Sequence, residues 1–414
     1  MHHLSLLQRL ITPNRGPRGP RAGLAAVLSG LLLVTACGGG GSGTAGTSDT
    51  NTGTATTAAF TQGTITGFGS VIVNGVRFDD SSATVTDDSG TKQALSALRL
   101  GMRVEVDSGA VDSSTATARA HAVRFGAEVT GPVEAVDTTA GTLTVLGQGV
   151  DVTTSTVFDD TLSGGLAGVA NGAVVEVHGV PDTGTGRIVA TRIEAKTGAT
   201  LYKLRGVVSA LDSTAKTLRI GGASISYAAV ATVPANLADG VTLRVTLATT
   251  AVAGVWQAQA LGAKAATTTT TAASAHVRGA ITAYTSATSF SVDGIAVDAS
   301  AATFPDGSTG LALGVQVEVR GTLSNGVLTA TKVSLESRHQ GDDDRKYRLH
   351  GAITAVDTTA KTFVLRGITV SYAGTVTYTG GTEAGLVVGA QLEVRGTVGA
   401  TRSELAAVRI KFES

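Results

Sequence analysis

One short motif recurs five times along the chain and constrains the fold more than any other feature of the sequence. It is a glycine followed three, four and five residues later by Val or Leu, by Glu or Arg, and by Val. Its five copies begin at Gly101, Gly172, Gly240, Gly314 and Gly389. They follow one another at intervals that are too regular for chance and too long for one turn of a solenoid. The pattern predicts five tandem copies of one small domain.

Three further features recur in step with this motif. Each copy opens with a glycine and a short alternating strand, at Gly63, Gly131, Gly206, Gly279 and Gly351. A glycine follows an apolar-x-apolar strand in mid-copy, at Gly75, Gly147, Gly222, Gly294 and Gly367. Each copy closes on an alanine with apolar neighbours, at Ala120, Ala190, Ala258, Ala330 and Ala407. Glycine inside an alternating strand marks a bulge, bend or hairpin turn, and small barrels use these devices at their corners.

Aspartates begin five-residue connections in the second, third and fifth copies, at Asp137, Asp212 and Asp357. A carboxylate in that place accepts backbone amides two residues on, which predicts hairpin turns in preference to a repeated acidic ligand. In the strand after the motif glycine, alternation points Glu or Arg outward, and we expect these side chains to face solvent.

Five short strands per copy, with a short apolar turn between the third and fourth, predict an all-β chain of five tandem small OB-like β-barrels. A small open β-sandwich is the alternative. The predicted boundaries are a signal peptide at 1–36, a flexible tether at 37–59, repeats at 60–125, 127–196, 201–265, 275–336 and 347–414, and linkers at 266–274 and 337–346.

The N-terminal sequence predicts the cellular location of the protein. A basic region precedes an apolar run at 22–36, which falls short of the roughly 20 residues that span a bilayer as a helix. The run ends in Val34-Thr35-Ala36-Cys37, which resembles a bacterial lipobox, so we expect cleavage before Cys37 and lipid attachment to its thiol. Gly38 stands where inner-membrane lipoproteins of the enteric type carry aspartate, which favours the outer membrane.

Loss of the leader removes four of the 32 basic residues, all of them arginines, and none of the 32 acidic residues. The mature chain is therefore slightly acidic and has no basic field for nucleic acid. Cys37 is the only cysteine, so the sequence predicts neither a disulfide nor a thiol nucleophile.

The repeated residues together resemble a known family. Gly-x-Ile/Val at the start, Phe/Leu-x-Val-x-Gly in the middle, Gly-x-x-Val-Glu-Val and a closing Ala-x-x-Val/Ile are similar to the bacterial domain of unknown function 5666, found repeated in extracytoplasmic lipoproteins. The resemblance covers roughly residues 60–412 and includes the opening 67–75 (GFGSVIVNG). It implies an envelope location and carries over no catalytic residue. The third copy departs most, with Leu243-Arg244-Val245 in place of Val-Glu-Val.

The sequence offers few groups for chemistry. The histidines after Cys37 do not stand at the near spacing of a metal pair, and they are His121, His178, His276, His339 and His350. The metal candidate is the linker with His339 and Asp342, Asp343 and Asp344, although it lacks the spacing of a calcium loop and is interpreted as solvated. The aromatic candidates for a sugar platform are Trp256, Tyr202, Tyr227, Tyr284, Tyr347, Tyr372 and Tyr378, for which core or edge packing is the alternative.

No nucleophile elbow, phosphate loop or dinucleotide fingerprint is present in the sequence, so we expect no enzyme and no cofactor. The first hypothesis is a lipid-anchored, non-enzymatic envelope protein that acts as a scaffold, spacer or multivalent interaction module. The second is an envelope protein that binds a glycan or a divalent cation on its barrel faces. Expected partners are the membrane, through the lipid, and an envelope protein or glycan.

Overall fold

The computed structural model describes residues 59–162, 164–182, 184–263, 271–336, 347–399 and 404–413. These residues belong to one compact unit that spans Thr54–Ser414 and form five small barrels, so the predicted all-β class and the tandem barrels are confirmed. The predicted signal peptide, Cys37, the linker at 337–346 and the tether up to residue 58 lie outside the described residues. Ala59, assigned to the tether, begins the first strand.

The first three barrels account for seventeen strands. Barrel 1 contains β1 (Ala59–Phe68), β2 (Val71–Val73), β3 (Val76–Asp79), β4 (Thr84–Thr86), β5 (Lys92–Gln93), a 3₁₀ helix (Leu95–Ala97), β6 (Arg103–Ser108) and β7 (Thr117–Phe125). Barrel 2 contains β8 (Val129–Asp137), β9 (Thr142–Val145), β10 (Gln148–Phe158), a 3₁₀ helix (Gly165–Gly168), β11 (Val174–Asp182) and β12 (Arg187–Ala195). Barrel 3 contains β13 (Tyr202–Asp212), β14 (Thr217–Ile220), β15 (Ala223–Ser226), β16 (Thr242–Leu247) and β17 (Trp256–Ala263).

The last two barrels account for eleven strands. Barrel 4 contains β18 (Ala272–Ser286), β19 (Ser289–Val292), β20 (Ile295–Asp298), β21 (Gln316–Ser324) and β22 (Val327–Leu335). Barrel 5 contains β23 (Tyr347–Asp357), β24 (Thr362–Leu365), β25 (Ile368–Ser371), β26 (Thr377–Thr379), a 3₁₀ helix (Glu383–Gly385), β27 (Gln391–Val398) and β28 (Leu405–Phe412).

Each barrel closes in the same order. In barrel 2, for example, the first strand pairs antiparallel with the second and the fourth, the second with the third, and the fourth with the last. The third strand runs parallel to the last, as β10 does to β12 and β20 to β22, and this pairing completes the ring. Closure uses the backbone groups that an open sheet would leave unpaired at its edges. The small closed barrel, and not the open sandwich, is therefore the fold of every copy.

The turns follow the residue types that the sequence supplies. Asp137, Asp212 and Asp357 each accept the amides two and three residues on, at 2.8–2.9 Å, so their interpretation as hairpin turns is confirmed. In mid-copy, pairs such as Asn74-Gly75 and Asp293-Gly294 both have positive φ, as a two-residue type I′ hairpin requires.

In every barrel the motif glycine lies two residues before the strand that pairs with both the first and the last strand, and it bonds to the first strand. All five have φ between 82° and 91°, a region that costs a residue with a side chain free energy. Their amides donate to the carbonyls of Ile65, Val133, Val208, Ile281 and Ile353 of the first strands, at 2.8–2.9 Å. The motif therefore recurs because each barrel closes at this point.

The barrels also pair with one another, and they do so through their first strands. Residues Ala59–Gln62 of β1 run parallel to Ser274–Val277 of β18, and the end of β1 runs parallel to β23. In the same way β8 pairs antiparallel with β13. The predicted linker at 266–274 is too long at its C-terminal end, because β18 begins at Ala272, which pairs with Leu323, and Ser274 already pairs with Ala59.

The apolar cores cross the barrel boundaries. The side chain of Phe60 from barrel 1 is fully buried in the core of barrel 4. Barrels 1 and 5 share one apolar cluster, to which barrel 2 adds Val157, and barrels 2 and 3 share another. Because burying a large apolar side chain contributes about 1.5–3 kcal/mol, these shared residues stabilise the association as well as each barrel.

Candidate functional site

Charged side chains converge where barrels 1, 2, 3 and 4 meet, around a cavity of about 270 Å³. They come from the strands β1, β6, β7, β13 and β16, from the residue before β8 and from turns, and these positions face a neighbouring barrel. The lining residues with charged or amide side chains are Gln62, Asp87, Asp88, Arg103, Glu105, Arg124, Glu128, Arg205, Arg244 and Asp293. We refer to this set as the junction.

Asp293 connects barrel 4 to barrel 1 within the junction. It stands in the hairpin turn of barrel 4 with φ of 49°, and its side chain is only 4% exposed. Its Oδ1 accepts the amide of Ala280 in its own barrel. Its Oδ2 accepts Gln62 Nε2 at 3.3 Å and forms an ion pair with Arg103, both from barrel 1. One carboxylate thus joins two barrels.

Barrel 3 contributes two arginines. Arg205 Nη1 lies 2.8 Å from Glu128 Oε1, and its Nη2 donates to the backbone carbonyl of Asp293 at 3.2 Å. Burial opposes the charge on Arg205, but the carboxylates of Glu128 and Asp293 outweigh it and raise its pKa. Arg244 reaches Asp88 of barrel 1, with Nε 3.3 Å from Oδ2. The arginines of barrel 3 therefore bind it to three neighbouring barrels.

A second buried group of charges lies in barrel 2. His178 is fully buried, with Nδ1 3.1 Å from the Gly126 carbonyl and Nε2 3.2 Å from Glu176 Oε1. Burial opposes ionisation of Glu176, but a hydrogen bond from His178 and the charge of Lys196 outweigh it and lower the pKa of this carboxyl to about 2. Glu176 is therefore an anion at every physiological pH.

The expectation that the outward motif residues face solvent is wrong for this chain. Glu176, Arg244 and Glu393 are only 15%, 18% and 16% exposed at their side chains, because ion pairs within and between barrels cover them. His178 is likewise interior and not on a strand surface.

The other candidate residues are dispersed. Tyr202, Tyr227, Tyr347 and Tyr372 are buried, and Trp256 packs edge-on against Tyr202 at 5.7 Å. Core and edge packing is therefore the observed role for these residues, while Tyr284 is exposed in barrel 4. His339 and the metal candidates Asp342, Asp343 and Asp344 lie outside the described residues.

Sequence reasoning missed the junction. Asp293 occupies the place that Asn74 has in barrel 1, directly before the turn glycine, and both side chains bond across the barrel boundary. The signal available was a polar residue at the outer corner of a hairpin. Its partner could not be read from the sequence, because Arg103 is 190 residues away.

Comparison with known proteins identifies the family of the chain. The model of the family described as "Domain of unknown function (DUF5666)" matches residues 62–120, 130–194, 278–334 and 350–411, which together make up more than half of the chain. The chain belongs to the DUF5666 family. Its four matched DUF5666 segments are barrels 1, 2, 4 and 5, and the unmatched barrel 3 closes in the same strand order.

No curated protein matches this DUF5666 chain. Among solved structures, Drosophila Unr CSD456 matches with 13% identity over 53% of this chain and 99% of its own length. The TM-score of 0.13 is too low to indicate a shared arrangement. Among the described residues, no helix is both long enough and apolar enough to cross a membrane.

Proposed function

We propose that this DUF5666 protein is a non-enzymatic scaffold of the cell envelope, held to the membrane by a lipid on Cys37. The observation that carries the scaffold role is the buried ion-pair network of the junction, which fixes barrels 1, 3 and 4 against each other. An arrangement that separated these buried charges would leave each of them uncompensated, which costs free energy. The barrels then present their outer surfaces to partners in constant relative positions.

This arrangement favours a scaffold over a flexible multivalent string. Linked modules gain avidity when a flexible linker lets each reach its own site. Here the first strands of neighbouring barrels share hydrogen bonds, so a barrel cannot move independently without breaking them. We infer that partners contact surfaces formed by several barrels together.

The glycan-binding hypothesis has less support. Sugar platforms need aromatic faces that converge, and the described tyrosines are spread over three barrels and mostly buried. In the junction, the positive and negative side chains are paired with each other. The dispersed tyrosines therefore count against glycan binding, and the paired charges count against a cation site in the junction.

The proposed envelope location rests on the sequence Val34-Thr35-Ala36-Cys37 and can be tested directly. Expressed in a bacterial host, the wild-type chain should appear in the membrane fraction, with an intact mass that equals residues 37–414 plus a lipid. Globomycin, which blocks the lipoprotein signal peptidase, should cause the uncleaved chain to accumulate. Cys37→Ser should give a product without lipid in either condition.

A wild-type product that is soluble and carries no lipid would contradict the anchor. The barrel contacts described above all lie within residues 59–413, so that result would leave them unaffected. The scaffold would then be a secreted one, so the lipid anchor and the contacts between barrels are tested separately.

A further inference from the structure

Three outward side chains of barrel 5 lie side by side on neighbouring strands. His350 in β23 is the register partner of Glu393 in β27. Glu413 follows β28 directly, and its amide donates to the Gln391 carbonyl at 2.9 Å, which holds this end of the chain against β27. Because adjacent strands are about 4.8 Å apart, the fold places one imidazole and two carboxylates next to each other.

The distances suit a bound ion. One ligand atom from each of His350, Glu393 and Glu413 lies within 4.8 Å of the other two, and His350 Nδ1 is 3.5 Å from Glu413 Oε1. Ligands at about 2.0–2.2 Å around a tetrahedral zinc ion are about 3.4 Å apart. The His350–Glu413 pair already has this spacing, and a rotation of the Glu393 side chain would complete the triangle.

Barrel 4 has an arginine and two glutamates at the positions that correspond to His350, Glu393 and Glu413. They are Arg278, Glu318 and Glu336, and the Glu336 amide donates to the Gln316 carbonyl as the Glu413 amide does to the Gln391 carbonyl. Arg278 Nε lies 3.3 Å from Glu318 Oε2, and Nη2 lies 3.7 Å from Glu336 Oε1. One guanidinium thus lies between both glutamates, and His276 and Arg320 also pair with Glu318.

Barrel 5 retains the two glutamates but has an imidazole in place of that arginine. Another arginine pairs with the first glutamate in both barrels, Arg320 with Glu318 and Arg395 with Glu393, so it does not explain the difference. A neutral imidazole can donate its lone pair to a metal ion.

We propose that His350, Glu393 and Glu413 bind a divalent cation of the zinc type, which takes the place that the Arg278 guanidinium has in barrel 4. One imidazole and two carboxylates are ligands that zinc accepts, and the partly exposed Glu413 leaves the fourth position to water. Calcium fits less well, because it requires six to eight oxygen ligands. The site is independent of the scaffold role, so either can fail while the other stands.

The test is a calorimetric titration of the full chain in detergent with Zn²⁺. Wild type should bind one more equivalent than His350→Arg, which reproduces the arrangement of barrel 4 and should keep the thermal stability of wild type. Glu413→Gln, at the exposed end of the chain, should lose the same equivalent without affecting the fold. In wild type an equal concentration of Ca²⁺ should not displace the zinc.

The linker aspartates provide the control for other sites. The triple variant Asp342→Asn, Asp343→Asn, Asp344→Asn should bind as many zinc equivalents as wild type. The proposal is overturned if His350→Arg and Glu413→Gln bind as much zinc as wild type. It is equally overturned if the linker variant alone loses the equivalent, or if Ca²⁺ competes at equal concentration.

Discussion

Asp293→Asn should lower the free energy of unfolding by about 3–5 kcal/mol, since removing one member of a buried ion pair leaves the other charge uncompensated. The Arg103 and Asp293 side chains are 11% and 4% exposed, so bulk solvent stabilises the remaining guanidinium less than the carboxylate does. Asparagine keeps the size and the tolerance for positive φ at this turn, as Asn74 shows in barrel 1. The substitution therefore changes the charge with little effect on the backbone. Calorimetry or urea unfolding of the chain measures the effect.

The matched control is an ion pair at the surface of barrel 5. Lys361 and Glu383 are 46% and 47% exposed, and exposed pairs contribute little to stability. Lys361→Gln should therefore leave the unfolding midpoint unchanged. If Asp293→Asn shifts the midpoint no more than Lys361→Gln does, the junction does not hold the barrels together.

Gly101→Ala should destabilise the chain by about 2–5 kcal/mol, from two separate causes. The residue has φ of 84°, and an L-residue in this region costs about 1–2 kcal/mol. In addition, a Cβ at Gly101 would lie 2.5 Å from the Thr191 carbonyl oxygen of barrel 2. This contact is with backbone, so the two barrels would have to separate, and overpacking of this kind adds about 1–3 kcal/mol.

Gly389→Ala separates the two causes. Gly389 is the same motif position in barrel 5, with φ of 91°, and a Cβ there would meet no described atom within 4 Å. This variant should show only the conformational cost of about 1–2 kcal/mol. Comparison of the two denaturation midpoints isolates the barrel 1–barrel 2 contact. Equal losses in both variants would show that this contact adds nothing.

The fold was predictable because its rules are local and occur five times. A glycine with positive φ, an aspartate that caps a hairpin, and alternating valines each specify one step of barrel closure, and repetition separates them from chance. Barrel 3 illustrates this point, since it closes in the same order although Leu243-Arg244-Val245 departs from the Val-Glu-Val of the family pattern.

The contacts between barrels were not predictable by the same means. An outward glutamate has the same sequence signature whether it faces water or another barrel, so the pattern predicts exposure for Glu176 and Glu393 alike. The pairing of β18 with β1 joins segments more than 200 residues apart, Ala59 with Ser274 for example. Likewise, a search of the sequence for residues at metal-binding spacing finds no partner for His350. Glu393 and Glu413 become its neighbours only when the barrel closes.

Small-angle X-ray scattering of residues 59–414 tests most directly the claim that the five barrels form one body. A compact chain of this length should have a radius of gyration of about 20 Å, whereas barrels joined end to end by flexible connections would give a much larger value. We predict the compact value at both low and high salt. A radius of gyration about half as large again, or larger, would contradict the scaffold account, since the barrels would then be independent modules on a string.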